Sequence, residues 1–201
     1  MGKITHFGVS ILQNEKNQLK RENYALIDKR PSLGQGEREK YKRLYQKHPE
    51  VYSKCFENEL CELYTDEWCE NHRANCLKNF DINMAYMDAL DKKELDDEIR
   101  KLLLKHREIQ QVVDLNACEN LSGVYIMVLD YYKQIYIGQS SNVKKRIMSH
   151  WSKKKSFDRL IFGQVEESVL SIDVFGALDT TRIYVFPSIN ALEVEEVIVE
   201  E

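Results

Sequence analysis

Tyr125, Tyr136, Arg146 and His150 sit close together in the chain and are of types that can do chemistry jointly. The two tyrosines occupy apolar, β-branched runs separated by a turn, so a hairpin would carry both hydroxyls to one face. Arg146 offers a planar, permanently charged fork that matches phosphate oxygens. His150 follows it at i+4 and shares its face of a helix. An unperturbed tyrosine has a pKa of ~10, so Tyr125 becomes a base only where nearby cations or a metal-bound water lower it. Around these residues Lys144, Lys145, Arg146, Lys153, Lys154, Lys155 and Arg159 face only Asp158, a local charge of +6 over residues 139–160. Such a patch would bind phosphate in a salt-sensitive way even on an acidic chain. Plainer alternatives stay open: aromatics are common in half-buried strands, and a lysine run is often a solvated loop.

A carboxylate for a cation would come from the last segment. Glu193, Glu196 and Glu200 form one acidic helix face, most simply a solvated one. Glu195 instead aligns with Ala191 and Ile198, and an acid on an apolar stripe needs a reason, of which a bound cation is one. The alternatives are a plain helix residue, or a strand over Leu192 to Val199. A second metal pattern lies at Cys69, His72 and Cys76, spaced i, i+3, i+7, with Cys61 or Cys55 as a fourth zinc ligand. Paired C-x-x-C spacing is absent, so cysteines packed as small hydrophobes are the competing explanation.

The elements that must position these groups have α+β grammar. Gly123 to Leu129 and Gln134 to Gly138 read as a hairpin, and Asn142 as the cap of a helix through Trp151. Thr181 to Phe186 reads as a third strand ending at Pro187, and Ser188 as the cap of a helix from Ile189 to about Glu200. Before Leu121 the chain reads as helix and loop: a charged helix from Gly36 to Lys47, a pair of helices between Pro49 and Phe80, and an amphipathic helix from Lys92 to Val113. The expected architecture is a small antiparallel sheet flanked by helices over residues 116–201, preceded by a mainly helical domain over residues 1–115. The whole chain has 201 residues, 29 Lys+Arg against 33 Asp+Glu, and 43% hydrophobic side chains. That composition excludes wholesale disorder, and a net charge of −4 argues against coating nucleic acid by bulk charge. Without a membrane-length apolar run or a signal-peptide core, a cytoplasmic location is expected.

Gly123-Val124-Tyr125, then Tyr136-Ile137-Gly138, then Arg146 on the following helix, resembles the GIY-YIG nuclease family. The likeness continues through Gln139-Ser140-Ser141-Asn142-Val143-Lys144-Lys145, and His150 matches a histidine of homing and restriction members. Glu195 is followed by apolar Ile198 and Val199 at +3 and +4, as the family's metal-binding glutamate is. The resemblance covers about residues 121–201 and implies a GIY-YIG-like fold and a metal-dependent endonuclease that hydrolyses phosphodiesters, in DNA first and RNA second. It implies Tyr125 activating water with help from Tyr136, Arg146 and His150 on the phosphate, and one Mg²⁺ or Mn²⁺ at Glu195. Gly123 and Gly138 would serve the backbone, and Lys144, Lys145, Lys153, Lys154 and Lys155 the nucleic acid. Gln139 stands where some members have lysine. The strand and asparagine that often follow the glutamate helix are missing before Glu201, so a nuclease domain cut short is expected. Cleaving both strands would favour a homodimer, and the helical half would choose substrate or hold a protein partner. The alternative is a non-cleaving nucleic-acid-binding or protein-interaction module.

Overall fold

Residues 2–25, 65–153, 155 and 157–199 are described in the computed structural model, and they form two units. One comprises Met1–Lys20, Asn83–Lys154 and Ser171–Glu201; the other comprises Arg21–Ile82 and Lys155–Leu170. The boundary expected near residue 115 thus falls inside the first unit. The helix expected at Gly36 to Lys47, and the start of the pair expected after Pro49, lie outside the described residues.

The strands are β1 (Lys3–His6), β2 (Val9–Leu12), β3 (Gln110–Gln111), β4 (Gly123–Leu129), β5 (Gln134–Ser140) and β6 (Arg182–Pro187). The described helices are α1 (Asp66–Ala89), α2 (Lys92–Lys105), α3 (Val143–Ser152) and α4 (Ala191–Val199). The architecture is α+β with small antiparallel sheets. Strands β3, β6, β4 and β5 lie in that order in one antiparallel sheet, and β1 pairs with β2 in another.

All seven residues of β4 are buried, as its unbroken apolar run requires of a strand covered on both faces. On one face Tyr125 and Met127 pack with Val143 and Ile147 of α3, Ile183 and Val185 of β6, and Leu115. On the other, Val124, Ile126 and Val128 pack with Ala191 and Ile198 of α4 and with Ile99 of α2. Two helical layers therefore hold the sheet between them, and the period-two alternation of β4 sorts its residues between the layers.

Sequence and structure part at three places. Lys3 to Leu12 is a hairpin, with Phe7 (φ 44°) and Gly8 (φ 72°) both in the left-handed region that a two-residue turn needs. Phe-Gly is a weak turn signal, and the short apolar alternation beside it is easily read as loop. α2 stops at Lys105, eight residues before the expected Val113. Beyond it Ile109 joins the α4 side of the core and Val112 the α3 side, a split between faces that a helix stripe cannot make. The intervening Gln110 and Gln111 pair with Val185 and Tyr184, and the Val112 N–H donates to the Ile183 carbonyl at 2.8 Å. α1 is a single helix that continues past Phe80 to Ala89.

In the second unit, His72 of α1 stacks on Trp68 at 4.6 Å and meets Phe157 edge-on at 4.8 Å. Asn79, fully buried, donates to the carbonyls of Val165 (2.6 Å) and Ser168 (2.7 Å). Arg21 pairs with Asp81 through Nε at 2.7 Å. No helix among the described residues is long and apolar enough to cross a membrane.

Candidate active site

β4 and β5 set the two tyrosines. The register pairs Tyr125 with Gly138 and Met127 with Tyr136, so Tyr125 and Tyr136 lie diagonally on one face. Their ring centroids are 6.1 Å apart. A β-carbon at Gly138 would lie 2.5 Å from the Tyr125 hydroxyl oxygen and 2.7 Å from its Cζ. Only glycine leaves room for the Tyr125 ring to cross β5. At Gly123 a β-carbon would meet the backbone of Phe186 and Pro187, so that glycine serves the close approach of β4 to β6.

α3 delivers the histidine. Asn142 caps it, its side chain accepting from the Lys145 N–H at 2.9 Å. Val143 and Ile147 bury the inner stripe, which turns His150 inward until only 4% of it is exposed. Its Nε2 lies 2.8 Å from the Tyr125 hydroxyl, and its ring meets Tyr136 at 5.1 Å, steeply inclined. Its Nδ1 lies 2.8 Å from Asp173 Oδ1. Arg146, exposed one turn earlier, interacts with both tyrosine hydroxyls. Tyr125, Tyr136, Arg146 and His150 therefore converge, as their spacing suggests.

Burial is the largest influence on Tyr125 and pushes its pKa up; the neighbouring Tyr136 adds to this, and Arg146 works against it without reversing it. Arg146 alone does not meet the condition set for Tyr125 to act as a base, because desolvation outweighs its charge. For His150, burial comes first and lowers the pKa, opposed by the Asp173 carboxylate and supported by the charges of Arg146 and Lys153. A neutral imidazole facing a protonated phenol is the resting state these directions favour.

Asp173 escaped the sequence reading. It lies in a one-turn 3₁₀ segment, Ile172–Val174, whose only local signal is the Ser171 side chain accepting from the Asp173 N–H. Nothing in that signal points to a histidine 23 residues away.

The lysines separate. Lys144 pairs with Glu119 (3.2 Å) and Lys153 with Asp173 (3.4 Å), while Lys145 is exposed. Lys155 belongs to the second unit, and Lys154 lies outside the described residues. Lys144 and Lys145 also line a cleft of about 800 Å³ between α3 and the β1–β2 hairpin, together with Lys16, Ile11, Met148 and Trp151.

Glu195 is half-buried on the stripe of α4 that carries Ala191 and Ile198, as expected. That helix packs over β4 and β5 on the face opposite the Tyr125 ring. Glu195 makes no ion pair among the described residues, and its partial exposure lets solvent meet its charge. One carboxylate suits Mg²⁺, which keeps most of its waters. Among the described residues no group of three or more His, Cys, Asp or Glu side chains is arranged to hold a metal.

Of the expected zinc ligands, Cys61 lies outside the described residues, as does Cys55. Cys69 and Cys76 are buried, and burial pushes the Cys76 thiol up to about 12. His72 Nε2 is 2.8 Å from the Phe157 carbonyl and 3.4 Å from Cys76 Sγ, so the ring nitrogen that would face a metal already has partners. Compared with family models, curated proteins and solved structures, the chain matches none.

Proposed function

We propose that this protein is a metal-dependent endonuclease of GIY-YIG type, hydrolysing phosphodiester bonds in DNA. The observation that carries the reading is the Tyr125 hydroxyl 2.8 Å from Nε2 of a buried histidine, with Arg146 alongside. A buried phenol is a poor base by itself, but it becomes one when its proton has a neutral imidazole to go to. The Tyr125 proton passes to His150; the phenolate takes the proton of the neighbouring Tyr136 hydroxyl, and Tyr136, the less buried of the two, takes one from water. The water oxygen then bonds to phosphorus while a bond from phosphorus to a bridging sugar oxygen breaks with its electron pair. His150 returns its proton to solvent, and the departing oxygen takes one up. Arg146 stabilises the charge that gathers on the phosphoryl oxygens. Tyr136, beside both rings, orders the water. Glu195, in the helix on the other face of the sheet, would hold one Mg²⁺ or Mn²⁺ apart from this proton path, so the charge on the phosphate at the tyrosines falls to Arg146. Lys145, Lys144 and the cleft beside α3 carry the adjoining strand.

The first test compares wild type with Arg146→Ala on supercoiled plasmid, branched and single-stranded DNA, with Mg²⁺ or Mn²⁺. Wild type nicks, and the variant slows by ~10²–10³-fold. Equal rates would overturn the reading. A second reading rests on the complete burial of Tyr125: a module that holds nucleic acid without cutting it. Salt-sensitive DNA binding by wild type, with no nicking under any metal, favours that one.

A further inference from the structure

His150 is gripped at both ring nitrogens inside the first unit. Nε2 faces the Tyr125 hydroxyl and Nδ1 faces Asp173 Oδ1, each at 2.8 Å. The other oxygen of that carboxylate, Oδ2, is 3.4 Å from Lys153 Nζ. The Asp173 side chain is 13% exposed and that of Lys153 61%. A chain of four groups thus runs from a buried phenol to a solvated ammonium.

We propose that Asp173 is a positioning residue that fixes His150 in the tautomer able to receive the Tyr125 proton, and that Lys153 restrains Asp173 until a phosphate draws it away. A carboxylate only accepts hydrogen bonds, so the neutral imidazole keeps its proton on Nδ1. Nε2 is then a bare lone pair, and the Tyr125 hydroxyl donates to it. When that proton arrives, the imidazolium donates from Nδ1 to Asp173, and the negative carboxylate stabilises the new charge. No other oxidant, reductant or co-reactant takes part. A lysine on the far oxygen weakens this stabilisation. Lys153 is the exposed member and can exchange Asp173 for a phosphate oxygen of a bound strand, leaving the carboxylate to act wholly on His150. The site's basicity then rises as substrate binds.

The phosphate half of this inference rests on the nuclease reading, whereas the tautomer does not, and the test separates them. In the full chain, the ring ¹⁵N and ¹H signals of His150 are assigned by their loss in His150→Gln and followed against pH. The groups facing the ring are Tyr125, Tyr136, Arg146, Asp173 and Lys153. Wild type shows Nδ1 protonated and Nε2 bare in the neutral form. Asp173→Asn mixes the tautomers and lowers the midpoint of His150 protonation by ~1–2 pH units. Lys153→Gln moves the midpoint the other way, by about half a unit. Opposite signs are required, because loss of local packing would not displace the two variants in opposite directions. A wild-type ring protonated on Nε2, or shifts of one sign, would overturn the proposal. Lys153→Gln keeps the test open if Asp173→Asn does not fold. A short DNA duplex raises the midpoint more in wild type than in Lys153→Gln, and equal changes overturn the restraint. Should the shifts hold while no DNA is cut, the nuclease reading fails and the relay stands. Cleavage with a His150 indifferent to both substitutions fails the relay alone.

Discussion

Gly138 and Tyr125 are register partners, and the atoms a side chain would need at one position are occupied by the other. Tyr125 is wholly buried, so its ring has no free space to retreat into. Gly138→Ala is therefore expected to move the hydroxyl off His150, destabilising the fold by ~1–3 kcal/mol through overpacking. If the proposed nuclease activity holds, it should depress cleavage about as far as Tyr125→Phe does, and the double variant should be no slower than either single one, since both would disable the same proposed proton path. Rates multiplying in the double variant would show that the two residues act separately. At this scale the sequence was informative where chemistry repeats at short range: the tyrosines, Arg146 and His150 are set by strand and helix periods. It was silent on Asp173, because a contact across 23 residues between a helix and a one-turn segment leaves no periodic trace. It states the condition for Tyr125 to act as a base but leaves open which influence governs it. Arg146 is visible in the sequence, but the degree of burial that outweighs it is a product of packing.

α3 carries Arg146 and His150 on a single amphipathic turn, so its first turn matters to both. The Asn142 side chain satisfies one of the otherwise unpaired N–H groups there. Asn142→Ala should cost ~1 kcal/mol of stability, read as a lower urea midpoint, with Asn142→Asp recovering most of it. An unchanged midpoint would mean that the helix is held by Val143 and Ile147 alone. The cap, the hairpin and the strand ending at Pro187 were all legible, since each is marked by a turn or breaker at its boundary. The spacing of Ile109 and Val113 continues the α2 pattern and makes that helix look longer than it is. The backbone leaves the helix after Lys105, where the His106 N–H still reaches the Leu102 carbonyl at 2.9 Å. The next apolar residues are then claimed by opposite faces of the sheet.

Across the first unit, Arg182 on β6 binds Asp96 of α2 (2.7 Å) and Asp130 after β4, while Lys92 reaches Asp130 at 3.0 Å and Thr181 closes the group at 2.6 Å. The Arg182 contact, then that of Lys92, holds Asp96 below the usual carboxylate range. Burial would raise Asp130, but Thr181, Arg182 and Lys92 together outweigh it and bring it down. Acids whose folded pKa is depressed contribute stability above their unfolded pKa of ~3.9 and lose it as the pH falls through the folded values. The urea midpoint of wild type should therefore drop steeply below about pH 4, whereas Asp130→Asn, weaker at neutral pH, should drop less. Parallel curves would remove this network from acid unfolding. The burial of β4 on both faces has a further consequence, one of kinetics. Its hydrogen bonds, buried on both faces, should be the last in the unit to open, after segments that can fray singly. Tyr125 cannot swing out of its packing, so under the proposed function a substrate has to be brought to a rigid, already assembled pair of side chains. The molecule's adaptability then resides in exposed arms such as Arg146 and Lys153, and its timing in how quickly those arms let go.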